Sequence, residues 1–188
     1  MSIVDTKLIT AQAFFALPDL GPCELVRGKV VTMNPPGWRH GNIAGWVAFR
    51  LTEYLEQNDI GRWSGCDCGI ITEREPDTVR GADVCLYSYT RLPRESEPDD
   101  YPELPPEIIW EVLSPGNRWK DVLAKVSEYL EVGVLRVCIV DPKRRCFVTY
   151  YPDRPDETIG EDGIWRAEEI LPGFELPVTR VFGKGTSG

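Results

Sequence analysis

Two acidic side chains stand where their neighbours form apolar, strand-like runs. Asp83 interrupts Ala82-Asp-Val-Cys-Leu-Tyr87, and Glu111 interrupts Ile108-Ile-Trp-Glu-Val-Leu113. An unpaired buried carboxylate costs on the order of several kcal/mol, so each acid requires compensation. Two carboxylates from neighbouring strands, with an adjacent backbone carbonyl, suit Mg²⁺ or Mn²⁺, which prefer oxygen ligands. Pairing with an arginine or capping a turn would serve as well. Lys125 lies one turn after Val122 and one turn before Tyr129, at the edge of an apolar helical face. Its ammonium either snorkels to solvent or reaches over the sheet end that carries Glu111, where it would offset phosphate charge or orient a water. His40 shares a helical face with Ala44, Val47 and Leu51, as a half-buried structural histidine or as a proton carrier or phosphate contact. Glu24 opens a hairpin, either as a third carboxylate on a metal or its water, or as a surface strand residue.

The elements that must position these groups are legible as patterns. Thr10 precedes Ala-Gln-Ala-Phe-Phe, a short helix with a threonine cap that stops before Pro18. Cys23–Val26 and Lys29–Met33 flank an Arg27-Gly28 turn and predict a β-hairpin. Ile43, Val47, Leu51, Tyr54 and Leu55 recur at helical spacing and predict a first long helix over 39–58. Runs at 65–72 and 82–87 predict paired strands around a polar loop, and 108–113 a buried strand. Trp119, Val122, Val126, Tyr129 and Leu130 place a second long helix over 118–131, ended by Gly133. Two more strands follow at 134–140 and 146–151, then a strand near Trp165. The periodicities assign Trp38, Val47, Leu51, Val112, Val126, Tyr129, Val137 and Ile139 to one core between helices and sheet. The sum is an α/β or α+β domain, a mixed sheet flanked by helices.

The chain has 188 residues, 42% hydrophobic and 27% charged, which predicts one globular domain and excludes low-complexity and collagen-like classes. The absence of an 18-residue apolar run and of a basic, apolar leader predicts a cytoplasmic protein, and the six cysteines need no disulfides there. A net charge of −9 argues against a protein that coats nucleic acid, whose affinity comes from cations on phosphates. Residues 95–107 and 153–169 together carry −11, however, which leaves the rest of the chain at +2 and allows a locally basic cleft. Gly-x-Gly-x-x-Gly, P-loop and Gly-x-Ser-x-Gly motifs are missing. Six tryptophans and short, open strands lead us to expect a homodimer.

The ordered set Glu24-Leu-Val-Arg-Gly-Lys-Val-Val-Thr-Met33, Pro35-Pro-Gly-Trp-Arg-His40, Gly81-Ala-Asp83-Val, Ile109-Trp-Glu111-Val-Leu-Ser-Pro115, Asp121-x3-Lys125-x3-Tyr129 and Val140-Asp141-Pro resembles the Uma2 endonuclease family, also described as a domain of unknown function. That family is similar to the PD-(D/E)XK nucleases. The resemblance implies a restriction-endonuclease-like core with an added N-terminal hairpin and C-terminal strands, over residues 10–176 between an extension (1–9) and a mobile tail (177–188). It implies Asp83 and Glu111 as metal ligands, with the Val112 carbonyl as a further one. The superfamily places a lysine two residues after the second acid, and this chain has Leu113 there. Lys125 on the following helix takes its place in the Uma2 pattern, which also includes Glu24 and His40. The implied function is Mg²⁺- or Mn²⁺-dependent hydrolysis of nucleic acid, DNA first, against the alternative of a noncatalytic dimeric interaction module that keeps the fold.

Overall fold

The computed structural model describes residues 8–18 and 20–183, so residues 1–7 and 184–188 of the expected extension and tail lie outside the described residues. A short helix α1 (Ala11–Phe15), capped by the Thr10 hydroxyl, leads into the hairpin β1 (Cys23–Val26) and β2 (Lys29–Thr32). Arg27 and Gly28 both take positive φ, 48° and 73°, which turns the hairpin in two residues. There follow α2 (Trp38–Leu55), β3 (Gly61–Glu73), β4 (Thr78–Ser88), β5 (Ile108–Val112), α3 (Trp119–Glu131), β6 (Arg136–Asp141) and β7 (Cys146–Tyr150). The chain ends in β8 (Glu157–Ile159), β9 (Ile164–Ala167), β10 (Leu171–Pro177) and α4 (Val178–Phe182).

Eight strands form one sheet in the order β2-β1-β4-β5-β6-β7-β8, with β3 also paired to β4; β9 and β10 form a separate ribbon. Among the described residues only β5 and β6 run parallel, joined by α3 as a crossover. Among the described residues no helix is long and apolar enough to cross a membrane.

The sheet buries both faces, so the residues expected in a single core divide between two, and among the described residues a third, smaller cluster forms around Ala11, Leu25 and Val79. Val84, Leu86, Ile108, Trp110, Val112, Cys138 and Val140 pack on α2, α4 and the β9–β10 ribbon. Cys85, Ile109, Val137, Ile139 and Val148 pack on Val126 and Tyr129 of α3. The period-two alternation of strand side chains divides them. Val47, Leu51 and Val112 thus belong to one core, and Val126, Tyr129, Val137 and Ile139 to the other. Trp38 belongs to neither: it is 82% exposed. It precedes Ile43 by five residues, which rotates it about 140° from the buried stripe of α2. Beyond residue 176 the chain continues as α4, whose buried Val178 and Val181 join the first core, so packing extends into the segment expected as a tail.

One feature of the sheet creates the site. Along one edge of β4, Val79 pairs with Leu25 of β1 and Val84 pairs with Trp110 of β5. Arg80, Gly81, Ala82 and Asp83 therefore stand between two strands that diverge, and the ladder is open there.

Candidate active site

Backbone groups inside a protein must find partners, and at this gap side chains supply them. The Gly81 N–H donates to Glu24 Oε1 at 3.1 Å. The Gly81 carbonyl accepts from Lys125 Nζ at 2.7 Å, and the Tyr129 hydroxyl lies 3.3 Å from it. The Val112 N–H, at the end of β5, donates to Asp83 Oδ2 at 2.7 Å. Glu24, Asp83 and Glu111 line the cavity at this gap from β1, β4 and β5, and α3 lies beside them.

Lys125 Nζ stands 3.0 and 3.1 Å from the two Glu111 oxygens and 3.2 Å from Glu24 Oε1, so with Gly81 four oxygens surround it. Tyr129, one turn further along α3, donates to Glu111 Oε1 at 2.9 Å. From the opposite face, His40 on α2 places Nε2 3.1 Å from Asp83 Oδ2. All five side chains singled out from the sequence line one cavity of about 750 Å³, walled by the loop before α2 and the loop before α3. Val112 lines it too.

The electrostatics follow from burial and pairing. Burial raises the Glu111 carboxyl to about 7, with Asp83 adding to the rise and Lys125 and Tyr129 opposing it. Burial also disfavours the Lys125 ammonium, but Glu111, Glu24 and Asp83 outweigh it and move its pKa up. Burial likewise raises Glu24, yet Lys125 and Arg80 hold its carboxyl below the usual range. The hydrogen bond to Asp83 raises His40.

Two residues of the cavity have no place in the sequence reading. Arg80 sends Nη1 to Glu24 Oε2 at 2.8 Å and forks onto Glu128 with Nε and Nη2 at 2.6 and 2.7 Å. Asp67 lines the cavity from a bulge in β3. The ladder pairs Gly65 with Val84 and Cys68 with Ala82, so Cys66 and Asp67 together face Asp83. Both bulge residues take positive φ, 59° and 62°, a conformation that costs non-glycine residues. A Cβ on Gly81 would lie 3.1 Å from the Asp67 Cβ, so the strand beside the bulge carries a glycine where the bulge presses. Burial and Asp83 raise the Asp67 carboxyl. Asp67→Asn is expected to raise the melting temperature of the metal-free protein, because asparagine tolerates positive φ and removes a charge facing Asp83. The gain should be about 0.5 kcal/mol, small because Asp67 is partly solvated; scanning calorimetry of the two proteins without added metal measures it.

The fold is a mixed α+β domain whose mainly antiparallel sheet is flanked by helices, with its acids gathered at a break in the sheet. A crystal structure described as a putative nuclease belonging to DUF820, from Anabaena variabilis ATCC 29413, superposes on it with a TM-score of 0.77. The match has 20% sequence identity and covers 93% of this chain and 97% of that one, so it establishes a shared fold. The family described as Uma2, putative restriction endonuclease, matches residues 11–179, and the chain belongs to that family. No curated protein matches the sequence.

Proposed function

We propose that the protein is an endonuclease that hydrolyses phosphodiester bonds in nucleic acid, with a Mg²⁺ or Mn²⁺ ion held by Asp83 and Glu111. The observation that carries this reading is the meeting of Asp83, Glu111 and Lys125 at the gap beside β4. The family's description as a putative restriction endonuclease and the structural neighbour's as a putative nuclease support the reaction class.

The residues fit such an ion in one form only. Among the described residues no three His, Cys, Asp or Glu side chains make a ready-made cage. Mg²⁺ commonly takes one or two carboxylates and keeps its waters, so Asp83 and Glu111, with the Val112 carbonyl, would hold a partly hydrated ion. Burial holds Glu111 near 7 even with Lys125 beside it, so below that pH an ion would have to displace its proton. When bound, the ion lowers the pKa of a water and neutralises charge on the phosphate.

The protein's own groups do the rest. Lys125, kept charged by three carboxylates, faces the cavity as a fixed cation that orients the attacking water and offsets charge on the phosphate oxygens. Glu24 holds Lys125 in that position. His40 fixes the Asp83 carboxylate through Oδ2 and is available to move a proton at Nε2. Tyr129 orients Glu111.

The competing reading, a noncatalytic interaction module, draws on one observation: Lys125 already pairs with Glu111 and Glu24 without an ion. The test is cleavage of single-stranded, duplex and branched DNA and of RNA by the purified protein with Mg²⁺ or Mn²⁺. Metal-dependent cleavage supports the endonuclease; no cleavage of any substrate supports the module.

A further inference from the structure

Five charged side chains alternate in sign across the gap: Glu128, Arg80, Glu24, Lys125 and Glu111. Four elements contribute to this ladder, and Arg80 stands where they meet. Its guanidinium fork engages both oxygens of Glu128. Glu128 lies three residues after Lys125, so the two neighbour each other on α3. The third donor of Arg80 takes Glu24 Oε2, which leaves Glu24 Oε1 to the Gly81 N–H and to Lys125. Arg80 also directly precedes Gly81, whose carbonyl makes the shortest contact of Lys125 at 2.7 Å. The Thr72 hydroxyl donates to Glu128 at 3.3 Å, which ties β3 to the same end of the ladder.

We infer that Arg80 is a positioning residue for Lys125: it sets the height of α3 over the sheet through Glu128 and the orientation of Glu24 through Oε2. The inference rests on the proposed role of Lys125. Several features separate this from an ordinary surface ion pair. The Arg80 side chain is only 15% exposed. Its two partners flank Lys125 from different elements, one on the same helix and one on the neighbouring strand. Only the planar guanidinium can bind Glu128 through two donors while a third reaches Glu24; a lysine ammonium lacks that fork.

The consequence is a specific pattern of loss. Without Arg80, α3 and Glu24 lose their common anchor, while Asp83, His40 and Val112 lie on its far side and keep their contacts. The effect should therefore fall on the step that Lys125 serves and not on the ion. Removing a group that orients a first-line residue typically costs about 10–100-fold.

The experiment uses the full chain and compares Arg80→Gln and Arg80→Lys with the parent, alone and in a Lys125→Ala background. Arg80→Gln is expected to lower kcat by about 10–100-fold with KM and Mn²⁺ affinity within about twofold, and Arg80→Lys to recover part of the loss. In the Lys125→Ala background, Arg80→Gln should cost no further kcat. A second readout needs no activity: nitrogen-detected NMR of the metal-free protein should show a slowly exchanging Lys125 ammonium, sheltered by its four oxygens, that disappears in Arg80→Gln. If Arg80→Gln does not fold, Glu128→Gln cuts the helix arm of the ladder alone and should show the same pattern in weaker form. Full kcat in Arg80→Gln, an equal loss with and without Lys125, or an unchanged Lys125 ammonium signal would overturn the inference. A parent protein without cleavage would instead overturn the proposed function, and the NMR comparison would still decide whether Arg80 positions Lys125.

Discussion

Asp83→Ala and Glu111→Ala should each reduce metal-dependent cleavage by about 10³–10⁴-fold, and the double variant should lose little more, because groups that act as one unit do not contribute additively. The two acids line one cavity from adjacent strands, and each is held there by partners from other elements, Asp83 by His40 and the Val112 N–H and Glu111 by Lys125 and Tyr129. Lys125→Ala should also slow cleavage, by about 10²–10³-fold, while leaving Mn²⁺ binding in place, since its proposed work is on water and phosphate charge. Equilibrium titration with Mn²⁺ separates the two classes: Asp83→Ala should abolish binding, whereas Lys125→Ala should not. Removing Lys125 leaves Glu111 buried beside Asp83 with only Tyr129 to bond it, so that variant should be less stable at neutral pH as well. Each rate must therefore be compared at a temperature where all variants are folded. Cleavage by Asp83→Ala at the parent rate would remove the mechanism.

How much of this site the sequence discloses depends on what kind of signal each residue leaves. Asp83 and Glu111 are visible because an acid within an apolar strand breaks a pattern, and the pattern itself implies burial. Lys125 is visible because helical spacing places it beside Val122 and Tyr129. Arg80 leaves no comparable signal: it follows Glu73-Arg-Glu-Pro-Asp-Thr-Val, a run so polar that it reads as a loop, although β4 already begins at Thr78. Its importance comes from the divergence of β1 and β5, a property of three strands together. Asp67 is hidden for another reason. A bulge of two positive-φ residues usually advertises itself by glycine or asparagine, and here the residues are cysteine and aspartate.

The fold divides along the same line. Both long helices and the strands at 108–112 and 136–141 carry enough periodic apolar residues to be read locally. The short β8, with the pattern Glu-Thr-Ile and no buried residue, exists only because β7 offers an edge. Trp38 shows the converse error, since a large apolar side chain at a helix start is not thereby inside. The division into two cores could not be read from periodicity either, because alternation says that successive side chains part but not what covers each face.

Relative to Glu111→Gln, the metal-free protein is expected to lose stability as the pH rises from 5 to 8; the Cys68 thiol, which its hydrogen bond with Cys85 holds down at about 6, adds stability above that pH in both proteins alike. Glu111 decides the direction. Its carboxyl is raised to about 7 from an ordinary value of 4.5, so between these limits the folded protein binds more protons than the unfolded chain. The contribution of Glu111 must then fall with pH through that window and level off above 7. A shift of this size corresponds to a change on the order of 3 kcal/mol. His40 acts in the same sense: its raised pKa contributes stability that is complete below 6.5 and is lost as pH passes its folded value. Asp67, also raised, adds a smaller fall that begins at lower pH. Glu24 is lowered, so its contribution is present above 4.5 and is lost only on the acid side, outside this range. Glu111→Gln imitates the protonated acid at every pH. It should match the parent near pH 5 and exceed it at pH 8 while abolishing cleavage. Mn²⁺ should stabilise the parent more at pH 8 than at pH 5, since at the lower pH it must displace the Glu111 proton, and should do little for Glu111→Gln. Melting temperatures of both proteins across this range, with and without Mn²⁺, provide the measurement. A difference between the two profiles that does not grow with pH, or a Glu111→Gln protein that melts below the parent at pH 8, would show that Glu111 is not the strained acid at the centre of the site.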